Sequence, residues 1–218
     1  MKILVIVDVQ NDFTKFGALE VPGGDEVVGK INELMESGYY DLHIASQDWH
    51  PRNHKSFVGN HTGHNKFEVI DLDGVPQVLW PEHCIQDTSG AEFHPELKKG
   101  FIDRVIQKGT NFRYDSYSVF FDNNKMGKTE LEDFLQLQAN RHHIPRSEIE
   151  IDFVGLALDY CVGFSAKDSV ELGFKTRVLV DATRAVNLNV GDDVKTIREL
   201  IKMGAEVVES EVVLNERN

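Results

Sequence analysis

The sequence predicts an α/β fold, in which a doubly wound, mostly parallel sheet of five or six strands carries helices on both faces. Two observations predict it. Short apolar runs rich in β-branched residues alternate along the chain with segments whose apolar residues recur at helical spacing. The first run, residues 2–9, is also almost continuously apolar, which is typical of a strand buried on both faces of a parallel sheet.

The elements in the first half of the chain follow from these patterns. After the strand at 2–9, apolar residues between 27 and 35 repeat at helical spacing, and Gly38 ends the predicted helix. A second strand is predicted at 41–47. Residues 48–101 are rich in His, Pro, Gly, Asn and Asp without clear periodicity, so they predict a long irregular loop of the kind that carries functional residues.

The second half continues the alternation. A third strand is predicted at 102–107, and Thr129 with Glu132 forms a capping-box pattern that opens a helix through about residue 139. The remaining predicted elements are, in order, a strand at 149–156, a helix at 161–173, a strand at 176–180, a helix at 192–203 and a strand at 206–209.

Composition and charge narrow the class of protein. The 218 residues suffice for one well-cored domain, and no linker or repeat divides them, so we predict a single domain over 1–218. The formal net charge of -13 argues against nucleic acid or an anionic membrane surface as a partner. Cys84 and Cys161 lie far apart, which suits reducing conditions, and the apolar start at 3–7 is too short for a signal peptide. We therefore expect a cytoplasmic protein.

Reactive side chains stand where the predicted strands end. Asp8, Asp48 and Lys108 terminate the first three runs, and Cys161 comes shortly after the fourth. Ligands of open α/β sheets bind at the carboxyl ends of the strands, so a carboxylate, an ammonium and a thiol would meet at one edge. Strand ends are polar wherever the chain surfaces, so each residue alone carries little weight. Together they form a coherent base, cation and nucleophile.

Cys161 is the candidate nucleophile of this set. The start of a helix and the Lys108 ammonium would stabilise its thiolate, and Asp8 could accept and return its proton. Lys108 would also keep Asp8 ionised, so the three groups should titrate together. A cysteine is more often a small buried hydrophobe, which is how we interpret Cys84.

The long loop carries a second set of residues, typical of a metal site. Asp48 and His50 lie two apart and would face the same way in an extended segment, with His54 or His83 completing a site for Zn, Fe or Mn. An Asp-x-His pair by itself is more often part of a turn than a ligand pair. The two added histidines make the metal site about as well supported as the turn.

Other loop residues have both a structural and a functional interpretation. His61 and His64 are rival metal ligands, which we interpret as a solvated pair. Phe13, Trp80 and Tyr117 are more often core residues by type, but they could line a flat apolar pocket for a small planar ligand.

Five short segments occur in a fixed order over nearly the whole chain. They are DVQNDF at 8–13, QDWHP at 47–51, WPEHC at 80–84, KGT at 108–110 and GLALDYC at 155–161. Together they resemble the signature segments of the nicotinamidases, which belong to the isochorismatase-like cysteine hydrolases. The chain departs from typical members mainly in its length between 123 and 150.

The resemblance implies an isochorismatase-like hydrolase fold and a defined site. The implied catalytic residues are Asp8, Lys108 and Cys161. The implied oxyanion donors are the backbone N–H groups of Ala157 and Cys161, beside a cis Leu156–Ala157 peptide bond. The implied ligands of a divalent ion, in most cases Zn²⁺ with Fe²⁺ or Mn²⁺ as alternatives, are Asp48, His50 and His83, with His54 close to the ion. The implied substrate contacts are Phe13, Trp80, Tyr117 and Leu156.

The resemblance also implies a reaction. This is the hydrolysis of nicotinamide to nicotinic acid and ammonia through a cysteine thioester, in NAD salvage, with pyrazinamide-type amides as further substrates. The partner would be a small-molecule substrate, and a homo-oligomer stays open. The alternatives are another cysteine hydrolase of the same fold and a non-catalytic binding module.

Overall fold

The computed structural model describes residues 1–216, which form eight strands. In chain order these are β1 (Lys2–Val7), β2 (Leu42–Asp48), β3 (Val69–Leu72), β4 (Val75–Val78), β5 (Arg104–Lys108), β6 (Glu150–Leu156), β7 (Lys175–Arg184) and β8 (Glu206–Val208). Six of them form one sheet in the order β5-β2-β1-β6-β7-β8, and all its neighbouring pairs are parallel. The predicted doubly wound sheet is confirmed, with the larger of the two strand numbers.

Helices cover both faces of this sheet. They are α1 (Glu26–Glu36), α2 (Leu131–His142), α3 (Gly163–Glu171), α4 (Asp192–Met203) and α5 (Ser210–Asn215). Buried residues of α1 and α5 belong to one hydrophobic cluster, and those of α2, α3 and α4 belong to a second cluster on the opposite face. A lipid bilayer could not be crossed by any helix within residues 1–216, since none is both long and apolar enough.

The first strand shows why the sheet is buried on both sides. Leu4 and Ile6 pack in the cluster beneath α1, whereas Ile3, Val5 and Val7 pack in the cluster beneath α2 and α3. Successive side chains of a strand point to opposite faces, so an uninterrupted apolar run supplies both cores. The prediction made from residues 2–9 is thus confirmed.

The structure differs from the prediction at several elements. The long loop contains the antiparallel hairpin β3–β4, and the chain adds the short helix α5. β7 runs on to Arg184, beyond the predicted residue 180, because its polar end pairs with β6 after an irregularity in register. A pattern of apolar residues does not reveal a strand end made of polar ones.

The capping box predicted before α2 is only half formed. The Leu131 N–H donates to Thr129 Oγ1 at 3.2 Å, but the Glu132 carboxylate instead pairs with Arg146 at 2.9 Å. The added segment at 123–150 contains α2 as predicted. The single domain over 1–218 stays a prediction, and its last two residues, 217–218, lie outside the described residues.

Candidate active site

The carboxyl ends of β1, β2 and β5 bring two carboxylates onto one ammonium. Lys108 Nζ lies 2.8 Å from Asp8 Oδ2 and 2.6 Å from Asp48 Oδ1, and it donates to the Ser116 carbonyl oxygen at 2.9 Å. The Lys108 side chain is fully buried, as is that of Asp8. The same nitrogen is 3.4 Å from Cys161 Sγ. The structure therefore brings together the four reactive residues that the strand ends predicted.

Asp8 owes its position to the way β1 ends. It adopts φ +47°, a left-handed conformation that aspartate tolerates better than most residues, and this turns the chain out of the strand. Ser46 on β2 then fixes the residue, because its hydroxyl donates to Asp8 Oδ1 at 2.7 Å and accepts the Asp8 N–H at 3.2 Å. The other carboxylate oxygen is left for Lys108.

Cys161 lies in a turn of helix between β6 and α3. The turn, Leu158–Val162, is wound more widely than an α-helix, so the cysteine sits inside a helical turn rather than opening the helix as predicted. The Leu156–Ala157 peptide bond is cis. The Tyr160 and Val162 N–H groups, on either side of Cys161, both donate to the Ala157 carbonyl oxygen at 3.0 and 3.1 Å.

Gly155 allows the strand before this turn to lie against β1. Its φ is +104°, and a Cβ atom built there would lie 2.1 Å from the Val7 carbonyl oxygen. Any side chain would therefore have to push β1 away from β6.

The protonation states of these groups follow from burial and from their neighbours. Burial raises the pKa of the Cys161 thiol well above its usual range, and the carboxylates of Asp8 and Asp48 raise it against the opposing effect of Lys108. Burial likewise raises the pKa of Asp8 in spite of Lys108. Lys108 thus lowers the pKa of the Cys161 thiol as predicted, but burial outweighs it, so the sulfur is a thiol beside a carboxylate whose own pKa is raised.

Lys108 and Asp48 shift in the opposite sense and stay charged. Burial would lower the pKa of Lys108, but Asp48, Asp8 and Cys161 raise it well above its usual range. Burial would also raise the pKa of Asp48, yet Lys108 and His50 hold it well below its usual range. Asp48 differs from Asp8 because His50 and His83 lie beside it in addition to the shared ammonium.

Asp48, His50 and His83 converge on a point suited to a metal ion. Asp48 Oδ2 lies 3.4 Å from His50 Nε2 and 3.8 Å from His83 Nε2, and all three side chains are buried. The Nδ1 atoms of the histidines lie 2.9 and 2.8 Å from the carbonyl oxygens of Gly109 and Pro81, so the neutral rings carry their proton on Nδ1 and offer a lone pair on Nε2. His50 Nε2 has no hydrogen-bond partner within residues 1–216. A carboxylate and two imidazoles in this arrangement fit a divalent ion.

His54 stands beside this group in a different tautomer. Its Nδ1 accepts the Ser56 N–H at 3.2 Å, which leaves the proton of the neutral ring on Nε2. Burial lowers the pKa of His54 to about 4, so the ring is neutral. Within the described chain its buried Nε2 has no partner, and it lies with His50 and Asp115 in a second group of close ligand atoms. In this tautomer the Nε2 hydrogen can be donated to a water molecule or anion bound to the ion.

An apolar cavity opens beside the Cys161 thiol and the side chains of Asp48 and His83. Its lining includes the three aromatic residues predicted from the sequence, Phe13, Trp80 and Tyr117. The Trp80 indole N–H donates to the Tyr117 hydroxyl at 3.0 Å, which fixes two of the three rings. A cavity walled by aromatic rings with a few polar groups suits a small planar ligand.

A family model decides the affiliation of the chain. The model described as the isochorismatase domain matches residues 2–212. The chain belongs to the isochorismatase family. Among the relatives of this isochorismatase-family chain is the nicotinamidase of Escherichia coli strain K12, which is 43% identical over 206 residues, 94% of this chain and 92% of the relative.

Solved structures of the isochorismatase family agree with this affiliation. A structure described as a nicotinamidase pyrazinamidase of Acinetobacter baumanii superimposes with a TM-score of 0.89 at 39% identity, covering 97% of both chains. The pyrazinamidase of Pyrococcus horikoshii, solved in complex with zinc, gives 0.73 at 30% identity and covers 95% of this chain and 98% of its own.

Sequence reasoning missed part of this isochorismatase-family site. The cavity is also lined by Leu19, Val21, Asp115, Tyr160 and Val186. Of these, Tyr160 adjoins Cys161 in sequence and could have been found, whereas the others lie on connecting segments whose path no periodicity predicts.

Some predicted residues lie outside the site. Leu156 is fully buried in the core and is not among the residues that line the cavity, so its contact with a substrate stays a prediction. The Cys84 thiol is also buried, as its structural interpretation expected. His64 pairs with Glu68 at 2.9 Å with both side chains partly exposed, which fits the solvated interpretation of the His61–His64 pair.

Proposed function

We propose that the protein hydrolyses nicotinamide to nicotinic acid and ammonia through a thioester on Cys161. The observation that carries this proposal is the contact of Cys161 Sγ with Lys108 Nζ at 3.4 Å, beside the Asp8 carboxylate and at the wall of an aromatic cavity. A thiol, a base and a fixed cation at one point suit acyl transfer from an amide. The nicotinamidases among its relatives support the choice of substrate.

The first half of the reaction forms the thioester. Asp8 takes the Cys161 thiol proton while the sulfur attacks the carboxamide carbon, and the carbonyl becomes an oxyanion. The backbone N–H groups of Ala157 and Cys161 are the proposed donors to that oxyanion, a contribution of roughly 3–4 kcal/mol per donor in acyl-transfer enzymes. When the tetrahedral species collapses, Asp8 returns the proton to the nitrogen and ammonia leaves.

The second half regenerates the thiol. Water attacks the thioester carbon and gives a proton to Asp8. The C–S bond then breaks as Asp8 returns that proton to the sulfur, which releases nicotinic acid and restores the Cys161 thiol. Because burial has already raised the pKa of Asp8, this carboxylate can hold the proton in transit better than an exposed aspartate could. Lys108 stays charged throughout and compensates the negative charge that moves between the two groups.

Asp48, His50 and His83 would hold a divalent ion beside the cavity, for which we propose Zn²⁺, with Fe²⁺ or Mn²⁺ as alternatives. The zinc complex of the Pyrococcus horikoshii pyrazinamidase supports this choice. When bound, the ion supplies a Lewis acid that can orient the ring nitrogen of the substrate. The protein residues fix the position of that ion relative to Cys161, because Asp48 contacts both Lys108 and the histidines.

We further propose that pyrazinamide-type amides are substrates, because two of the similar solved structures are described as pyrazinamidases. From the sequence we also expect a cytoplasmic role in NAD salvage, and the formation of a homo-oligomer stays open.

Ammonia release from nicotinamide tests the proposal. The wild-type protein should release ammonia, and Cys161→Ala should lose at least about 10⁴-fold of this rate while nicotinamide binding stays measurable by calorimetry. Cys84→Ala, which removes the other buried thiol, is the matched control and should retain the activity.

The competing functions give different results. A wild-type protein that binds nicotinamide without releasing ammonia would be a binding module, and one that hydrolyses only other carboxamides or ureido compounds would be a different hydrolase of the family. Turnover by Cys161→Ala would remove the nucleophile from the proposal.

A further inference from the structure

The end of β1 leaves part of β2 without a strand partner. The pairing of β1 with β2 stops at Ile6 and Ala45, because Asp8 turns the chain away. On its other side β2 stays paired with β5 as far as Asp48 and Lys108. The backbone of Asp48 that faces β1 would therefore be buried without a hydrogen-bonding strand, and buried backbone groups require partners.

The side chain of Gln10 takes the place of the missing strand. Its Oε1 accepts the Asp48 N–H at 2.8 Å, and its Nε2 donates to the Asp48 carbonyl oxygen at 2.8 Å. The second Nε2 hydrogen donates to the Ala91 carbonyl oxygen, also at 2.8 Å. The side chain is fully buried, and all its hydrogen-bonding capacity apart from one lone pair is used on the backbone.

Gln10 is itself held rigidly between two segments. Its N–H donates to the Asp8 carbonyl oxygen at 2.8 Å, and the residue forms an antiparallel bridge with Phe93. The neighbouring Asn11 N–H donates to the Glu92 carbonyl oxygen at 2.9 Å. A side chain anchored in this way can fix the backbone that it contacts.

The position of Asp48 matters because its two carboxylate oxygens have different tasks. Oδ1 lies 2.6 Å from Lys108 Nζ, whereas Oδ2 faces His50 and His83. Because both oxygens belong to one carboxylate, a rotation or shift of the Asp48 backbone would move at least one of them away from its partners. We propose that Gln10 is a positioning residue, which holds Asp48 so that its carboxylate joins Lys108 to the metal-binding histidines.

This inference rests on the proposed function for the presence of the ion, and the Zn²⁺ affinity tests it apart from catalysis. In Gln10→Met the side chain keeps its size but loses all three hydrogen bonds. In the matched control Gln47→Met, a neighbouring side chain loses its own 2.8 Å bond to the Ala91 carbonyl oxygen without touching the Asp48 backbone. The dissociation constant is measured by competition with a chromophoric chelator on metal-stripped protein.

We expect Gln10→Met to bind Zn²⁺ about 10- to 100-fold more weakly than the wild type, the usual effect of losing a residue that orients a ligand. Gln47→Met should stay within about threefold. Ammonia release by Gln10→Met should recover as Zn²⁺ is raised to saturation. The far-UV circular dichroism of the metal-free variant should match that of the wild type, which separates a loss of affinity from a loss of folding. If Gln10→Met does not fold, Gln10→Glu, which keeps the acceptor for the Asp48 N–H, should give a smaller loss of affinity.

Wild-type affinity in both Gln10 variants would overturn the inference. Equal weakening in Gln47→Met would also overturn it, since the anchor at Ala91 would then be the cause. A wild-type protein that binds Zn²⁺ but releases no ammonia would refute the proposed function and leave the role of Gln10 standing. A wild-type protein that hydrolyses nicotinamide but binds no Zn²⁺ would refute this inference alone.

Discussion

Replacing Lys108 with methionine removes the ammonium that two buried carboxylates share. Its nitrogen lies 2.8 Å from Asp8 and 2.6 Å from Asp48. At an effective dielectric constant of about 20, each attraction amounts to about 6 kcal/mol, much of which offsets the desolvation of the charges. Removing one member of a buried ionic group nevertheless leaves the others uncompensated, at a net cost of about 3–5 kcal/mol.

The loss should depend on pH with a definite sign. In the wild type the pKa of Asp48 is lowered, so its contribution to stability is present above the unfolded value of about 3.9 and is lost as pH falls. Without Lys108, burial raises the pKa values of Asp8 and Asp48. The variant therefore loses stability as pH rises above the unfolded pKa of about 3.9. The difference in unfolding free energy should therefore grow from pH 4 to pH 8.

Urea unfolding at several pH values measures this difference. Lys167→Met is the control, since it breaks a 2.6 Å pair with Glu199 whose side chains are partly exposed, and such a pair contributes at most about 1 kcal/mol. A Lys108→Met protein within about 1 kcal/mol of the wild type at pH 8 would refute the reasoning, as would a gap that narrows with rising pH.

Two further predictions concern the metal site and the strand before the nucleophile. Burial would lower the pKa of His50, but Asp48 outweighs it and raises the pKa to about 8 in the metal-free protein. His50 must lose a proton to bind a metal, so Zn²⁺ affinity should rise by up to about tenfold per pH unit below pH 8 and less steeply above it. Chelator competition measures this affinity, and a flat profile from pH 6 to 8 would contradict the prediction. Gly155→Ala should lower the unfolding free energy by at least about 3 kcal/mol, because its Cβ would meet the Val7 carbonyl oxygen. Gly63→Ala, with φ +85° but open space around it, should cost only about 1 kcal/mol, and equal losses in urea unfolding would exclude the clash.

The sequence was informative wherever a local pattern has one structural solution. The apolar runs predicted the parallel sheet, and the rule that parallel strands end at one edge placed Asp8, Asp48 and Lys108 together. These side chains meet within hydrogen-bonding distance because they follow neighbouring strands, β1, β2 and β5.

Features that depend on the path of irregular segments could not be predicted in the same way. Asp115 and Val186 reach the cavity from connections without periodicity, and the tautomer of His54 depends on where the Ser56 N–H points. The resting thiol at Cys161 escaped prediction for another reason. The charges near it were visible in the sequence, but the burial that outweighs Lys108 is a property of the folded chain.

The shared carboxylate of Asp48 would link the proposed metal site thermodynamically to the Cys161 thiol. A cation bound to Oδ2 would withdraw electron density from Oδ1 and weaken its attraction for Lys108. The ammonium would then act more strongly on Asp8 and on the Cys161 sulfur. Linkage is reciprocal: whatever factor the ion applies to the proton affinity of the thiol, loss of that proton applies to the affinity for the ion. Exchanging one divalent ion for another at the proposed site would therefore also change the acidity of the Cys161 thiol, which lies outside the proposed ligand set.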